Sequence, residues 1–224
     1  MEKISFLVGA LKVYLIVVCL LLLSIVSFGA EWKSIGPEGG NIGKIILSKS
    51  DPNTIITLKR SIYYGLGCSI WRSIDGGENY SNITRGLKSF FDEKDFYIND
   101  IFMDPYHPSI IYVATNNGLY VTNDGGMTYK QLGLQGENVT SIAISEVDNQ
   151  IILAGTSGNG IFKSTDQGEK WFQVENEFAL CQVNYLTFDP LNPLVIYACV
   201  SAVGILKSTD EGETWFLFGI DCDP

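Results

Sequence analysis

The sequence predicts an all-β fold, a β-propeller of about four blades, each a four-stranded antiparallel sheet, and three observations carry that prediction. One phrase occurs four times, as SIDGGENY from Ser73, TNDGGMTY from Thr122, STDQGEKW from Ser164 and STDEGETW from Ser208. The intervals between Asp75, Asp124, Asp166 and Asp210 are 49, 42 and 44 residues, the length of a four-stranded blade. The apolar runs around each copy recur in the same order, and no helical periodicity competes with them after residue 30.

Each unit reads as four strands, A to D. Strand A is apolar and ends in a turn, with Ile101 to Pro105 echoed by Leu186 to Pro190 and less fully by Ile45 to Pro52. Strand B is β-branched and aromatic, at Ile55 to Leu58, Ile110 to Thr115, Ile151 to Thr156 and Val195 to Val200. Strand C precedes the repeated phrase, as in Ile161-Phe162-Lys163, and strand D runs on from it, as in Trp171 to Val174. The units span residues 41–83, 98–132, 138–174 and 182–218. A sheet this small cannot bury both faces alone, so sheets pack face to face around an axis.

The phrase reduces to Ser/Thr-x-Asp-x-Gly-x-x-aromatic and reads as the turn between strands C and D. Its residues are Ser73, Asp75, Gly77 and Tyr80; Thr122, Asp124, Gly126 and Tyr129; Ser164, Asp166, Gly168 and Trp171; Ser208, Asp210, Gly212 and Trp215. The carboxylate accepts hydrogen bonds from amides one or two residues ahead, and the glycine supplies a positive φ. A calcium loop needs several oxygen ligands at alternate positions and a late bidentate Glu. Each phrase offers one well-placed carboxylate, so no metal is expected.

These residues resemble the Asp-box, or BNR, repeat β-propellers, a group that includes sialidases, two-domain xyloglucanases, the receptor domain of sortilin and the photosystem II assembly and stability factors. The resemblance covers roughly residues 31–220, and the wording WKSIGPEGGNIGKIILSKSDPN followed by IWRSIDGGENY looks most like secreted relatives. It implies that the boxes are structural turns on the face opposite the ligand site. It carries over no catalytic residue.

Residues 1–30 have the layout of a secretory signal, with Lys3 and Lys12 ahead of an uncharged run from Val13 to Ala30 and small residues at Ser27, Gly29 and Ala30. An uncleaved membrane anchor is the alternative, since 18 apolar residues sit at the lower limit of a span. Residues 31–224 form the repeat domain, and the protein is expected to be secreted, periplasmic or otherwise extracytoplasmic. Within it, Trp32 to Ile35 (orphan strand 31–35) matches strand D of the other units, yet the last unit already owns one at Trp215 to Phe218. Ring closure by strand exchange is therefore blocked, which leaves an open or truncated propeller or part of a longer ancestral chain. An open row leaves two sheet faces uncovered and favours self-association.

The chain carries 25 acidic against 15 basic residues, a net charge of −10. Such a surface repels phosphate backbones and argues against nucleic acid. Four cysteines remain after the leader: Cys68, Cys181, Cys199 and Cys222. Cys199 lies in the apolar strand Val195 to Val200 and reads as a buried free thiol, while Cys181 and Cys222 are candidates to pair. No Cys-x-x-Cys suggests zinc.

Chemistry is sparse. The three arginines, Arg60, Arg72 and Arg85, do not sit in a sialidase context, and Arg72 occupies the repeat position filled by Val121, Lys163 and Lys207. Asp92, Glu93, Asp95 and Asp100 offer carboxylates, but no spacing selects a glycosidase pair. His107 reads as a surface turn residue in Asp104-Pro105-Tyr106-His107-Pro108. No cofactor site can be assembled.

Two connections are longer than their counterparts: the B–C loop of the first unit, Lys59 to Gly67, and the D–A link from Thr84 to Tyr97. Both emerge on the face opposite the boxes. Their exposed aromatics beside charges make Lys59, Arg60, Tyr63, Tyr64, Phe90, Phe91 and Asp92 the candidate ligand site. The competing reading is that the aromatics cover a sheet edge. The functional expectation is an exported binding or scaffold propeller for a protein or glycan, with a glycoside hydrolase or its relic, or a fragment working within a larger assembly, as alternatives.

Overall fold

The computed structural model describes residues 36–37, 41–60, 68–87, 90, 96–175 and 177–219. The leader 1–30, the orphan strand 31–35 and Cys222 lie outside the described residues. None of the described helices is long and apolar enough to cross a membrane.

The fold is all-β, built from four antiparallel sheets of four strands in chain order. Sheet 1 is β1 (Asn41–Leu47), β2 (Ile55–Arg60), β3 (Ser69–Ser73) and β4 (Ser81–Asn82). Sheet 2 is β5 (Ile98–Met103), β6 (Ile111–Thr115), β7 (Gly118–Thr122) and β8 (Lys130–Gly133). Sheet 3 is β9 (Val139–Ile144), β10 (Ile152–Thr156), β11 (Ile161–Ser164) and β12 (Phe172–Gln173). Sheet 4 is β13 (Val183–Phe188), β14 (Ile196–Val200), β15 (Gly204–Ser208) and β16 (Phe216–Leu217).

First strands stand side by side, β1 against β5, β5 against β9 and β9 against β13, and form the inner wall of a curved row. Strands β1 and β13 do not pack together as these neighbours do. The apolar core divides into three clusters, one per joint between sheets. Sheets 2 and 3 are covered on both faces, which is why β6, β7 and β10 are buried at every position and read as continuous apolar runs.

Every first strand carries a register shift at the same place, with Gly43, Asn99, Thr140 and Asn184 as the extra residues. Such a bulge turns the bulged side chain out of the pleat. In the middle of the row that side chain ties sheets together: Asn99 Nδ2 donates to Val139 O at 2.7 Å, and Thr140 Oγ1 donates to Val183 O. Gly43 has no side chain to do this. Arg60 lies across it, so that an added Cβ would stand 2.6 Å from the Arg60 side chain, and its Nη2 donates to Asn99 O at 2.9 Å.

The residues after the first three bulges, Lys44, Asp100 and Ser141, reach the next sheet and make a polar relay along the inner wall. Lys44 Nζ donates to Asp100 Oδ1 at 2.6 Å. Asp100 Oδ2 accepts the Ile142 amide at 3.1 Å, and Ser141 Oγ accepts the Leu186 amide at 3.0 Å. One chain of contacts therefore crosses all three joints. Asp100 is buried, and a buried carboxylate persists only when paired and hydrogen-bonded.

The Asp boxes share one geometry. The Ser or Thr hydroxyl donates to the Asp carboxylate and accepts the glycine amide four residues on, as at Ser73 with Asp75 (2.7 Å) and Gly77 (2.9 Å). The carboxylate accepts the amide four residues ahead, at Asn79, Thr128, Lys170 and Thr214. The expected reach of one or two residues is corrected here. Two successive left-handed residues, such as Gly76 (φ 74°) and Gly77 (φ 95°), fold the chain back and bring the more distant amide to the carboxylate.

The boxes also clamp the preceding sheet. Tyr129 OH donates to Ile83 O at 3.1 Å, and Trp171 Nε1 donates to Leu132 O at 3.0 Å. A Cβ on Gly126 would stand 2.5 Å from Ile83 Cβ, and one on Gly168 would stand 2.6 Å from Leu132 Cγ.

A second correction concerns Cys199. It is exposed, because alternation along β14 places it on the outer face of the last described sheet, where no further sheet among the described residues covers it.

Hydrogen bonding depresses the box carboxyls. Asp75 is held down to about 2 by the Asn79 amide and side chain, Asp124 is lowered chiefly by the Thr128 hydroxyl, and Asp166 by the Lys170 amide. At Asp210 burial opposes the shift, but the hydroxyl and amide of Thr214 outweigh it. A lowered folded-state value stabilises the protein above the unfolded value near 3.8 and loses that contribution as pH falls through the folded value. Unfolding free energy from denaturant titrations should change little through the box carboxyls between pH 7 and 5, then decline from about pH 4 towards pH 2.

Gly126→Ala should cost about 3 kcal/mol, while Gly136→Ala, with φ +87° but open space around it, should cost about 1 kcal/mol. Equal losses in thermal or urea unfolding would show that the box does not clamp its neighbour. Asp100→Ala removes the acceptor for both Lys44 and the Ile142 amide, and should cost about 3 kcal/mol by the same measurement.

Candidate functional site

Repetition and acidity make the Asp boxes the first candidates, but each carboxylate accepts hydrogen bonds from its own turn. No cluster of His, Cys, Asp or Glu suited to a metal ion exists among the described residues.

The loop end of the sheets is the second candidate. Lys59 is half-buried in β2, paired across to Ser69. Arg60 is engaged at the first joint, bridging β1 and β5. The Phe90 ring, 44 % exposed, lies 5.3 Å from that of buried Tyr120 at an angle of 53°, so it covers sheet 2. Tyr63, Tyr64, Phe91 and Asp92 lie outside the described residues. Of the seven residues proposed from sequence, three are therefore placed, and Arg60 and Phe90 each hold one sheet to the next.

The third candidate is a groove along the inner wall, with a volume of about 590 Å³, at the end of the first strands that carries the A–B turns. This is the end shared with the Asp boxes. Its walls combine Phe102 from β5, Tyr106 from the following turn, and Tyr185 and Phe188 from β13, with Pro105 and Pro190 at the turns. Phe102 is held edge-on to Tyr112 at 6.5 Å. Tyr106 and Tyr185 are 60 % and 49 % exposed, so large aromatic surfaces face the groove's solvent.

Among the described residues, the two carboxylates that line the groove are Glu146 and Asp189, and both are engaged, as is Asp104 in the neighbouring turn. Glu146 pairs with Lys49 at 2.7 Å, which joins the A–B turns of sheets 1 and 3. Asp189 Oδ1 accepts the amides of Leu191 and Asn192, and Asp104 Oδ1 accepts those of Tyr106 and His107. His107 is an exposed turn residue whose Nδ1 lies 3.3 Å from Asp104 Oδ1. Hydrolysis of a glycosidic bond needs one carboxyl to donate a proton and a second to act as base or nucleophile, 5 to 10 Å apart. As they stand, Asp189 and Asp104 shape turns and Glu146 is held in an exposed ion pair. What the groove offers is aromatic and prolyl surface with a few polar groups at the rim, suited to stacking against a sugar ring or an apolar side chain.

Sequence reasoning missed this groove. Its signal was the repeated strand-plus-turn ending in Asp-Pro, Ile101 to Pro105 and Leu186 to Pro190, which places Phe102 and Phe188 one residue apart in the repeat register and both on the wall.

No family model matches the chain. Two curated proteins are similar to parts of it. A xyloglucanase of Hypocrea jecorina (strain QM6a) is 28 % identical over 138 residues, which cover 59 % of this chain and 15 % of that protein. Xyloglucanase Xgh74A of Acetivibrio thermocellus is 32 % identical over 108 residues, 38 % of this chain and 13 % of that protein. The chain thus spans a small part of these relatives.

Among solved structures, an ancestral GH74 enzyme superposes with a TM-score of 0.65 at 19 % identity, over 86 % of this chain and 26 % of that one. YCF48 bound to D1 peptide gives 0.57 at 17 % identity, over 87 % and 59 %. PorZ, a surface component of the type-IX secretion system of Porphyromonas gingivalis, gives 0.57 at 18 % identity, over 79 % and 22 %. At these identities the structural likeness is one of fold: the chain is a β-propeller array, similar in part of its sequence to xyloglucanases.

Proposed function

We propose that this chain is an exported binding propeller that holds a glycan or protein segment in the inner-wall groove without cleaving it. The observation that carries the reading is the state of the acids at the groove, where Glu146 is ion-paired and Asp189 shapes a turn, while the nearby Asp104 and Asp100 are buried and hydrogen-bonded. The exposed aromatic faces of Tyr106 and Tyr185 supply the binding surface. Similarity to two xyloglucanases favours xyloglucan as the ligand. Export accords with the apolar leader and with likeness in fold to a bacterial surface component.

Hydrolysis is the second reading, favoured by the activity named for both sequence relatives. Affinity electrophoresis in gels containing xyloglucan, together with a reducing-end assay, separates the two. The expected result is retardation without release of reducing ends, weakened about ten-fold by Tyr106→Ala combined with Tyr185→Ala. A Tyr63→Ala, Tyr64→Ala, Phe90→Ala variant should bind as the parent does. Release of reducing ends would establish the hydrolase, and loss of binding in the loop variant alone would move the site to the loop end.

A further inference from the structure

The two ends of the row are built as the two halves of its internal joints. In each joint the earlier sheet presents a pair from its second and third strands, Leu58 with Ile70, Ala114 with Leu119 and Gly155 with Ile161, and the later sheet presents Ile101, Ile142 or Leu186 from its first strand. Register assigns the corresponding pair of the last sheet to Cys199 and Ile205, and the corresponding first-strand residue of the first sheet to Ile45.

Burial separates the ends sharply from the interior. Ile205 is 37 % exposed, whereas Ile70, Leu119 and Ile161 are 0 %, 0 % and 2 %. Ile45 is 62 % exposed, whereas Ile101, Ile142 and Leu186 are 0 %, 3 % and 2 %. Each end therefore carries one complementary half of a joint, uncovered.

Charge repeats the pattern. Across the third joint, Lys163 on β11 reaches Glu213 in the Asp box of sheet 4. The residue in register with Lys163 on the last sheet is Lys207, paired with Tyr197 as Lys163 is with Leu153, and its ammonium lies over the rings of Tyr197 and Phe218 on the outer face. The residue in register with Glu213, five after the opening Ser of the box, is Glu78 in the box of sheet 1, and it is exposed. The bulge donor is also present: Asn184 corresponds to Asn99 and, with no following sheet among the described residues, donates to Ser201 Oγ at 2.9 Å.

We propose that a second copy of this chain docks head to tail, the outer face of sheet 4 in one copy against sheet 1 of the other. Ile205 and Cys199 then seat against Ile42 and Ile45, and Lys207 pairs with Glu78. A head-to-tail contact closes into a ring or runs on as a filament. Two copies give eight sheets, within the four to eight blades of ordinary propellers, and three would exceed it, so the closed form is a dimer. This assembly is independent of the ligand in the groove.

The test uses the full chain, exported by the host cell and recovered in mild detergent, with its mass measured by light scattering or sedimentation at micromolar concentration. A species of twice the chain mass is expected. Lys207→Glu or Glu78→Lys alone should weaken dimerisation at least ten-fold, and the two together should restore it. Ile205→Asp, at a position exposed in the single chain, should weaken it at least a hundred-fold without changing the circular dichroism.

Contact is read directly by a disulfide. In the third joint, a Cβ on Gly155 would stand 2.8 Å from Val183 Cβ, and these positions correspond to Cys199 and Ile42. A small shift reaches the roughly 3.5–4.5 Å of a disulfide. Ile42→Cys should therefore link two copies through the native Cys199 on mild oxidation with diamide, and Cys199→Ser should abolish the link. A monomer with no cross-link would overturn the proposal, whether its ends stay open or the chain's own residues 31–35 take the first sheet's face. A growing filament would overturn ring closure.

Discussion

Everything in this array rests on the relay that runs from Lys44 through Asp100 and Ser141 to the backbone of β13. A sheet of four short strands has two apolar faces and little edge, so its stability comes from its neighbours. Apolar packing between sheets is non-directional and by itself permits sliding. A buried carboxylate that must meet an ammonium on one side and an amide on the other does not. Asp100 therefore fixes the stagger of sheets 1, 2 and 3 together, and Ser141 passes the same register to sheet 4. The bulge that precedes each of these residues is what aims them across the joint.

At the opposite edge, the Asp boxes do the corresponding work for the outer strands. Their carboxylates are absorbed in shaping the turn, and the shaped turn presses a glycine and an aromatic ring onto the sheet before it. Inner relay and outer clamp together hold each joint at both edges. The box carboxylates are thus committed to architecture, while the groove between first strands sets aromatic side chains and prolines beside Lys44, Lys49, Glu146 and Asp189.

The repeat, the strand order and the turn role of Asp75, Asp124, Asp166 and Asp210 were legible in sequence because each rests on local rules: alternation, turn chemistry and period. The groove was not, because it is made by residues from four first strands whose correspondence is hidden by the bulge. Lys44, Asp100, Ser141 and Tyr185 occupy one structural position yet share no chemistry that an eye scanning the repeats would align. The exposure of Cys199 was misread for a related reason. Its strand is apolar like its counterparts, and nothing in the strand itself says that no described sheet covers its outer face. Arg60 falls in the loop taken from sequence as part of the candidate ligand site, and only the glycine opposite it, Gly43, explains why an arginine crosses there to the next sheet.

The most direct test of the interlock is native-state hydrogen exchange at the amides of Ile142 and Leu186, which donate to Asp100 and Ser141. If the relay holds the sheets in register, both amides exchange only through global unfolding, and Asp100→Asn speeds them more than it speeds amides at the centre of β10. Exchange of Ile142 and Leu186 at the rate of exposed turn amides in the parent protein would contradict the account.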